Sequence, residues 1–313
     1  MANYYIGVDV GGTTVKMGLF TEAGELQEKW EIPTRTEDGG KQILPDIVES
    51  IEKKREELGG HIGGIGMGVP GPVTDDGVVL KCANLGWGVF SAKNELSSLT
   101  GVGNVEIAND ANIAALGEMW KGGGRGFDSI VMVTLGTGVG GGVIIRGKIL
   151  TGSMGAGGEI GHMKVRLDEE DSCNCGGKGC LEQYTSATGI VRMAKKKLHP
   201  GSAKLEDSCL NGIEITAKDI FDGAKAGDAY CEEVVEEFGR ILGFGLANVA
   251  QAVDPEAFVI GGGVSRAGEI ILDVTKRYYN DHVMFALQNK EFRLAELGND
   301  AGIYGAAKLV LES

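Results

Sequence analysis

YYIGVDVGGTTVKMGLF, residues 4–20, reads as strand, glycine turn, strand. Its apolar runs, Tyr4 to Val10 and Val15 to Phe20, flank DVGGTT at 9–14, a turn built from glycines and hydroxyl side chains. The same arrangement returns at 129–150 in SIVMVTLGTGVGGGVIIRGKIL, with LGTG at 135–138 in the turn. Two copies of one hairpin in one chain are an internal duplication, and they predict two hairpin-led α/β halves.

The sequence between and beyond the hairpins supports that division. A third strand is expected from Leu26 to Pro33, and ILPDIVESIEKKREEL at 43–58 places Ile43, Ile47, Ile51 and Leu58 on one helical face. IGGIGMGVPGPV at 62–73 reads as a buried strand ending in a Gly-Pro turn, and VEIANDANIAALGEMW at 105–120 as a strand entering a helix near Asp110. Residues 238–279 read as helix, strand, glycine loop, helix, and DAGIYGAAKLVLE at 300–312 as a further helix. The halves meet near residue 110 without a Pro/Ser linker: residues 1–110 with 300–313 form one expected domain, and 111–299 the other.

Composition narrows the function. A chain of 313 residues with 42% hydrophobic content can build two cores, and its formal charge of -14 opposes nucleic acid and anionic lipid as partners. No apolar run reaches the roughly 18 to 20 residues of a membrane span, and MANYYIGVDVGG lacks a signal-peptide pattern, so a cytoplasmic protein is expected. Glycine, at 53 residues, is about 17% of the chain against a usual 7%, and it gathers in loops after apolar runs. Such loops let backbone approach a ligand closely.

Glycine loops can cradle phosphate, but two familiar versions fail here. Gly136 to Gly141 satisfies G-x-G-x-x-G, yet the following VIIRGKIL is β-patterned where a dinucleotide fingerprint opens a helix. Around Lys178 the order is Gly-Lys-Gly, without the Ser or Thr of a P-loop. Three loops remain, DVGGTT at 9–14, LGTG at 135–138 and GGGV at 261–264. Each alone could be a tight turn; together they point to a nucleotide held between two domains. In the first, Asp9 suits Mg²⁺ through water, with Gly11, Gly12, Thr13, Thr14 and Lys16 toward phosphate.

Of six cysteines, Cys82, Cys209 and Cys231 stand scattered in apolar or helical sequence and read as buried thiols. Cys173, Cys175 and Cys180 instead cluster in EIGHMKVRLDEEDSCNCGGKGCLEQ, residues 159–183. With His162 they offer three sulfurs and an imidazole, the donor set of a closed tetrahedral zinc site, although C-x-C-x4-C differs from the usual C-x2-C knuckle. A disulfide would suit an extracellular protein. Asp168, Glu169, Glu170 and Asp171 read as a solvated acidic loop.

DVGGTTVK, GVPGPV, NDANIAALGE, LGTGVGGG, GGEIGH, CNCGGKGCLE and IGGGVS, in this order along the whole chain, resemble the motif set of the ROK family of sugar kinases and sugar-responsive repressors. The likeness is greatest to the family's glucokinases. It implies an actin-like ATPase (ribonuclease H-like) α/β fold, duplicated into two domains around an interdomain cleft. It further implies ATP- and Mg²⁺-dependent phosphorylation of glucose at the 6-hydroxyl. By resemblance Asp110 is the catalytic base; Gly71, Asn84, Asn109, Glu159, His162 and Glu182 join it at the sugar. Gly136, Thr137, Gly138, Gly261, Gly262 and Gly263 serve phosphate and adenosine, and His162, Cys173, Cys175 and Cys180 hold a structural zinc. From the residues alone, Asp110 is as well explained as a helix N-cap, and Trp87 as core. A dimer or tetramer is the family's habit. Rival readings are a kinase for fructose, allose, mannose or N-acetylmannosamine, and a non-catalytic sugar sensor; the chain's negative charge makes polyphosphate a less attractive donor than ATP. A DNA-reading sensor is disfavoured because the first strand begins by about Tyr4.

Overall fold

The computed structural model describes residues 3–196 and 203–311. Residue 312 of the helix expected at 300–312 lies outside them. In order along the chain, the first strands are β1 (Asn3–Val10), β2 (Thr14–Thr21), β3 (Leu26–Pro33), β4 (His61–Val69), the two-residue β5 (Val78–Val79) and β6 (Phe90–Ser91), and β7 (Val105–Asn109). Then come β8 (Ile130–Leu135), β9 (Val139–Ile145), β10 (Lys148–Ile149), β11 (Ala257–Gly261) and β12 (Glu291–Leu294).

The duplication is visible in strand order. One sheet runs β3-β2-β1-β4-β7 and the other β10-β9-β8-β11-β12, so each has an antiparallel hairpin followed by parallel strands. In the first, Asp9 pairs in register with Lys16 across the hairpin. The G-x-G-x-x-G segment runs into β9 rather than a helix, as its β pattern requires.

Two compact units emerge. The first comprises residues 1–128, 142–158 and 297–313; the second comprises 129–141 and 159–296. Residues 111–128 thus group with the first unit, whereas the sequence reading ends that unit's opening segment at 110. The helix Asp110–Lys121 explains this, because it packs against the helix Ala301–Leu311 through glycines. A Cβ at Gly117 would overlap the Ala301 carbonyl oxygen, and one at Gly305 the Ile113 carbonyl oxygen. Helix Ala301–Leu311 meets the sheet in the same way: a Cβ at Gly7 or Gly66 would strike the carbonyl oxygens of Ile303 or Ala306. Much of the glycine excess therefore lets main chain touch main chain. Buried Glu118 secures the return of the chain, accepting the Leu297 N–H at 2.8 Å through one oxygen and the Gly123 N–H at 2.9 Å through the other.

The first unit's core joins Ile6, Val8 and Met17 to Ile65 and Met67 of β4 and to Ile47 and Ile51 of the helix Ile43–Leu58. Trp87 belongs to it, with its indole N–H donating to the Gly40 carbonyl at 3.0 Å. In the second unit β11 is buried throughout, and Phe258 packs with Tyr279 and Phe292 at centroid distances of 5.5 and 5.0 Å. The 25-residue helix Ala229–Val253 lies against the helix Glu269–His282, where a Cβ at Gly243 would come 2.6 Å from the Tyr279 nitrogen. Among the described residues no helix is long and apolar enough to cross a membrane.

Candidate functional site

In the first unit the glycine turn is closed by its own backbone. The Gly11 N–H donates to the Thr14 carbonyl at 3.0 Å, and the Thr34 hydroxyl donates to the Gly11 carbonyl at 2.7 Å. Gly12 and Thr13 are exposed, and a Cβ at Gly12 would meet nothing within 4 Å. Asp9 lies at the inner end of this turn, opposite Lys16. Burial, then repulsion from Asp110, push its carboxyl up to about 6 against the opposing pull of Lys16. That mutual influence puts Asp9, Lys16 and Asp110 in one electrostatic neighbourhood.

Asp110 is not the helix cap. Asn109 has that role: its Oδ1 accepts the N–H groups of Ala111 at 2.9 Å and Asn112 at 3.2 Å. Its Nδ2 donates to the Gly71 carbonyl at 3.1 Å, tying β7 to the turn after β4. Asp110 is the first helical residue and its Oδ1 accepts the Ala111 N–H at 2.8 Å. A carboxylate at a helix N-terminus is favoured by the helix dipole. Gly71 has φ +103°, and a Cβ there would stand 2.6 Å from the Lys81 carbonyl oxygen, so only glycine fits. Exposed Asn84 follows in the turn Ala83–Leu85, on the same strap of chain.

In the second unit the glycine turn and the cysteine loop share one carboxylate. Glu182 Oε2 accepts the Val139 N–H at 2.9 Å, just past Thr137 and Gly138, while Oε1 accepts from the Cys173 thiol at 3.5 Å. The Thr188 hydroxyl donates to the Thr137 carbonyl at 2.9 Å, and the Ala187 N–H to the Gly136 carbonyl at 2.8 Å. A cavity of about 250 Å³ lies here, lined by Thr137, Gly138, Cys173, Glu182, Ser186 and Thr188 among others. The third loop is adjacent: a Cβ on Gly262 would fall between Leu135 backbone atoms, 2.6 Å from its carbonyl carbon. Gly261 is buried at the end of β11, and Gly263 has open space about its Cα.

His162, Cys173, Cys175 and Cys180 converge, with ligand atoms all within 4.8 Å of one another. Cys173 Sγ is 3.8 Å from His162 Nδ1, and Cys175 Sγ is 3.6 Å from Cys180 Sγ. Two thiolates on one tetrahedral zinc stand about 3.8 Å apart, from Zn–S bonds of about 2.3 Å, so the donors fit a single ion. The Lys164 ammonium donates to Cys180 Sγ at 2.8 Å, placing positive charge beside the thiols. Glu159 is exposed at the start of the turn Ile160–His162, its carbonyl accepting the His162 N–H at 3.1 Å.

Asp168, Glu170 and Asp171 of the acidic loop are exposed as expected, whereas Glu169 is not. Glu169 is largely enclosed and pairs with Arg192 at 2.7 Å while accepting the Tyr184 hydroxyl at 2.5 Å. Arg192 holds the Glu169 carboxyl down at about 2 against its burial, with Tyr184 assisting. Asp171 also binds Arg192, at 2.9 Å, and Lys196 at 2.7 Å. Arg192 further lies over the Tyr184 ring, 5.0 Å from its centroid. Tyr184 and Arg192, on the separate short helices Glu182–Thr185 and Ala187–Lys195, carried no motif in the sequence. Of the scattered cysteines, Cys82 and Cys231 are buried as expected, whereas Cys209 is exposed and its sulfur neighbours that of Cys231.

Comparison with known proteins follows the same lines. The model of a family described as the ROK family matches residues 5–313. A glucokinase of Halalkalibacterium halodurans is 46% identical, the match covering 98% of this chain and 94% of that one. An N-acetyl-D-glucosamine kinase of Yersinia enterocolitica is 33% identical, covering 98% of this chain and 99% of that one. Among solved structures, a ROK family glucokinase from Streptomyces griseus in complex with glucose and AMPPNP superposes with a TM-score of 0.73. It is 35% identical, with 99% of this chain and 100% of that chain covered. The fold is thus that of actin-like ATPases in their sugar-kinase form.

Proposed function

The chain belongs to the ROK family, and from that premise we propose that it is a glucokinase, transferring the γ-phosphoryl group of ATP to the 6-hydroxyl of glucose. The observation that carries the reading is the arrangement at the start of the helix Asp110–Lys121, where Asn109 caps the helix and Asp110, its first residue, shares an electrostatic neighbourhood with Asp9 and Lys16 of the glycine turn. The higher identity to a glucokinase than to an N-acetyl-D-glucosamine kinase favours glucose.

In this reading Asp110 accepts the 6-hydroxyl proton as that oxygen attacks phosphorus. Asn109, Gly71 and Asn84 border the sugar, joined by Glu159, His162 and Glu182. Phosphoryl transfer asks mainly for alignment and charge neutralisation, which the backbone of the glycine turns supplies: Gly11 to Thr14 with Lys16, Gly136 to Gly138, and Gly261 to Gly263 for adenosine. Asp9 would hold magnesium, and the ion would neutralise charge developing on the phosphates. His162, Cys173, Cys175 and Cys180 would hold zinc, whose chemistry is structural: it would fix the imidazole tautomer and the shape of the loop that presents Glu182. A cytoplasmic homo-oligomer belongs to the same reading, and sedimentation checks the assembly.

The test is ADP production from Mg-ATP over a panel of aldoses, ketoses and N-acetylhexosamines, with Asp110→Asn as control. The expected result is turnover on glucose that falls by about 10²-fold or more in the folded variant. Preference for another sugar would refute the substrate, and full activity in Asp110→Asn would refute the base.

A further inference from the structure

Cys209 and Cys231, 22 residues apart, meet at the N-terminus of the helix Ala229–Val253. Their sulfurs are 3.9 Å apart, and an oxygen of Asp228 joins them so that all three ligand atoms lie within 4.8 Å of one another. The Ser208 hydroxyl oxygen stands 3.9 Å from Cys231 Sγ and 3.0 Å from Asp228 Oδ1.

The main chain fixes this convergence. Asp228 is the N-cap of the helix, its Oδ1 accepting the Cys231 N–H at 3.0 Å, while its Oδ2 accepts the Cys209 N–H at 2.7 Å. One carboxylate thereby positions both cysteines. Gly223, on the helix Ala217–Lys225, supplies the room: a Cβ there would come 2.5 Å from Cys231 Sγ and 2.8 Å from Cys209 Sγ.

The two sulfurs are unbonded and, at a separation that thiols in van der Waals contact also adopt, close enough to share one ion. A disulfide requires an S–S distance of about 2.05 Å, far shorter than the separation found. Thiolates sharing a tetrahedral zinc stand about 3.8 Å apart, which is the separation found. Sulfur ligands also select a borderline-soft ion over magnesium or calcium. Cys209 is exposed and Cys231 buried, so an ion has a way in and a dry floor beneath it.

We propose that Cys209, Asp228 and Cys231 form a second metal site, distinct from the His162 cluster, that takes a borderline-soft divalent cation such as zinc, with a fourth position open to water beside the Ser208 hydroxyl. The ion fastens the loop bearing Ser208 and Cys209 to the start of the long helix. None of these residues belongs to the proposed catalytic set, so the site stands or falls independently of the sugar chosen.

The experiment is metal counting on the full chain, purified under reducing conditions and dialysed against micromolar zinc and then zinc-free buffer. The wild type should hold two zinc ions per chain, Cys209→Ser/Cys231→Ser one, and Cys175→Ser the one at the second site. Cobalt in place of zinc should give Cys175→Ser a thiolate-to-cobalt charge-transfer band. One zinc in both wild type and double variant overturns the proposal, as does an intact mass showing a 209–231 disulfide with no second zinc. If the double variant does not fold, Cys175→Ser decides: one ion retained supports the site and none removes it.

Discussion

Replacing Asp9 with asparagine should make the protein harder to unfold while disabling it. Burial and the neighbouring Asp110 raise the Asp9 carboxyl from 3.8 to about 6, against Lys16. A carboxyl with a raised folded-state pKa costs nothing below its unfolded value; the cost grows as pH rises through the interval between the two and persists above it. At about 1.4 kcal/mol per unit, this comes to about 3 kcal/mol near pH 7.5 and about 0.5 kcal/mol near pH 4. Asparagine has the same shape without the charge. Urea unfolding of both proteins should therefore give the variant a lead of about 2 to 3 kcal/mol near pH 7.5 that shrinks below about 1 kcal/mol near pH 4. No lead at the higher pH, or one indifferent to pH, would refute the claim that Asp9 is held ionised against its surroundings. Adding Mg-ATP supplies a second arm. If Asp9 carries magnesium, the nucleotide stabilises the wild type more than the variant and the lead narrows.

Asn109→Ala should cost about 1 kcal/mol of stability by uncapping the helix, whereas Asn109→Asp keeps the cap and loses the bond to Gly71; thermal melts separate the two. Gly305→Ala forces a methyl into the Ile113 carbonyl, and a loss of about 2 to 3 kcal/mol in urea is expected; an unchanged midpoint would show that the helices part easily. Glu169→Gln should flatten the acid limb of the stability profile. The lowered carboxyl contributes stability above its ordinary value of 4.5 that is lost as pH falls toward about 2, so a variant and wild type that lose stability in parallel over that interval would contradict the clamp.

The hairpins and the helix Ile43–Leu58 were legible because their signals are local: alternating apolar runs, a glycine turn and a helical stripe lie in consecutive residues. The strand-to-helix junction at Asp110 was equally clear, but the choice between Asn109 and Asp110 as cap was not. Both residue types cap well, and only the third partner, the Gly71 carbonyl, distinguishes them. Short elements such as β12 owe their existence to the neighbouring strand rather than to four residues of propensity. Glu169 looked solvated because its partners, Tyr184 and Arg192, lie 15 and 23 residues away. Cys209 and Cys231 looked unrelated for the same reason, although Asp-x2-Cys at a helix start, DAYC at 228–231, was a local clue to an ordered thiol.

The seating of the helix Ala301–Leu311 on bare glycine backbone has a consequence for biosynthesis. The ribosome makes this helix after all of 1–300, yet it covers Gly7 of β1 and Gly66 of β4. Until it emerges, the nascent first unit lacks the cover over Gly7 and Gly66 and over Phe20, which packs with Ile303 and Ala307 of that helix. The second unit has all its residues by 296. Maturation therefore runs against the usual vectorial order of domains on the ribosome: the half begun first is finished last.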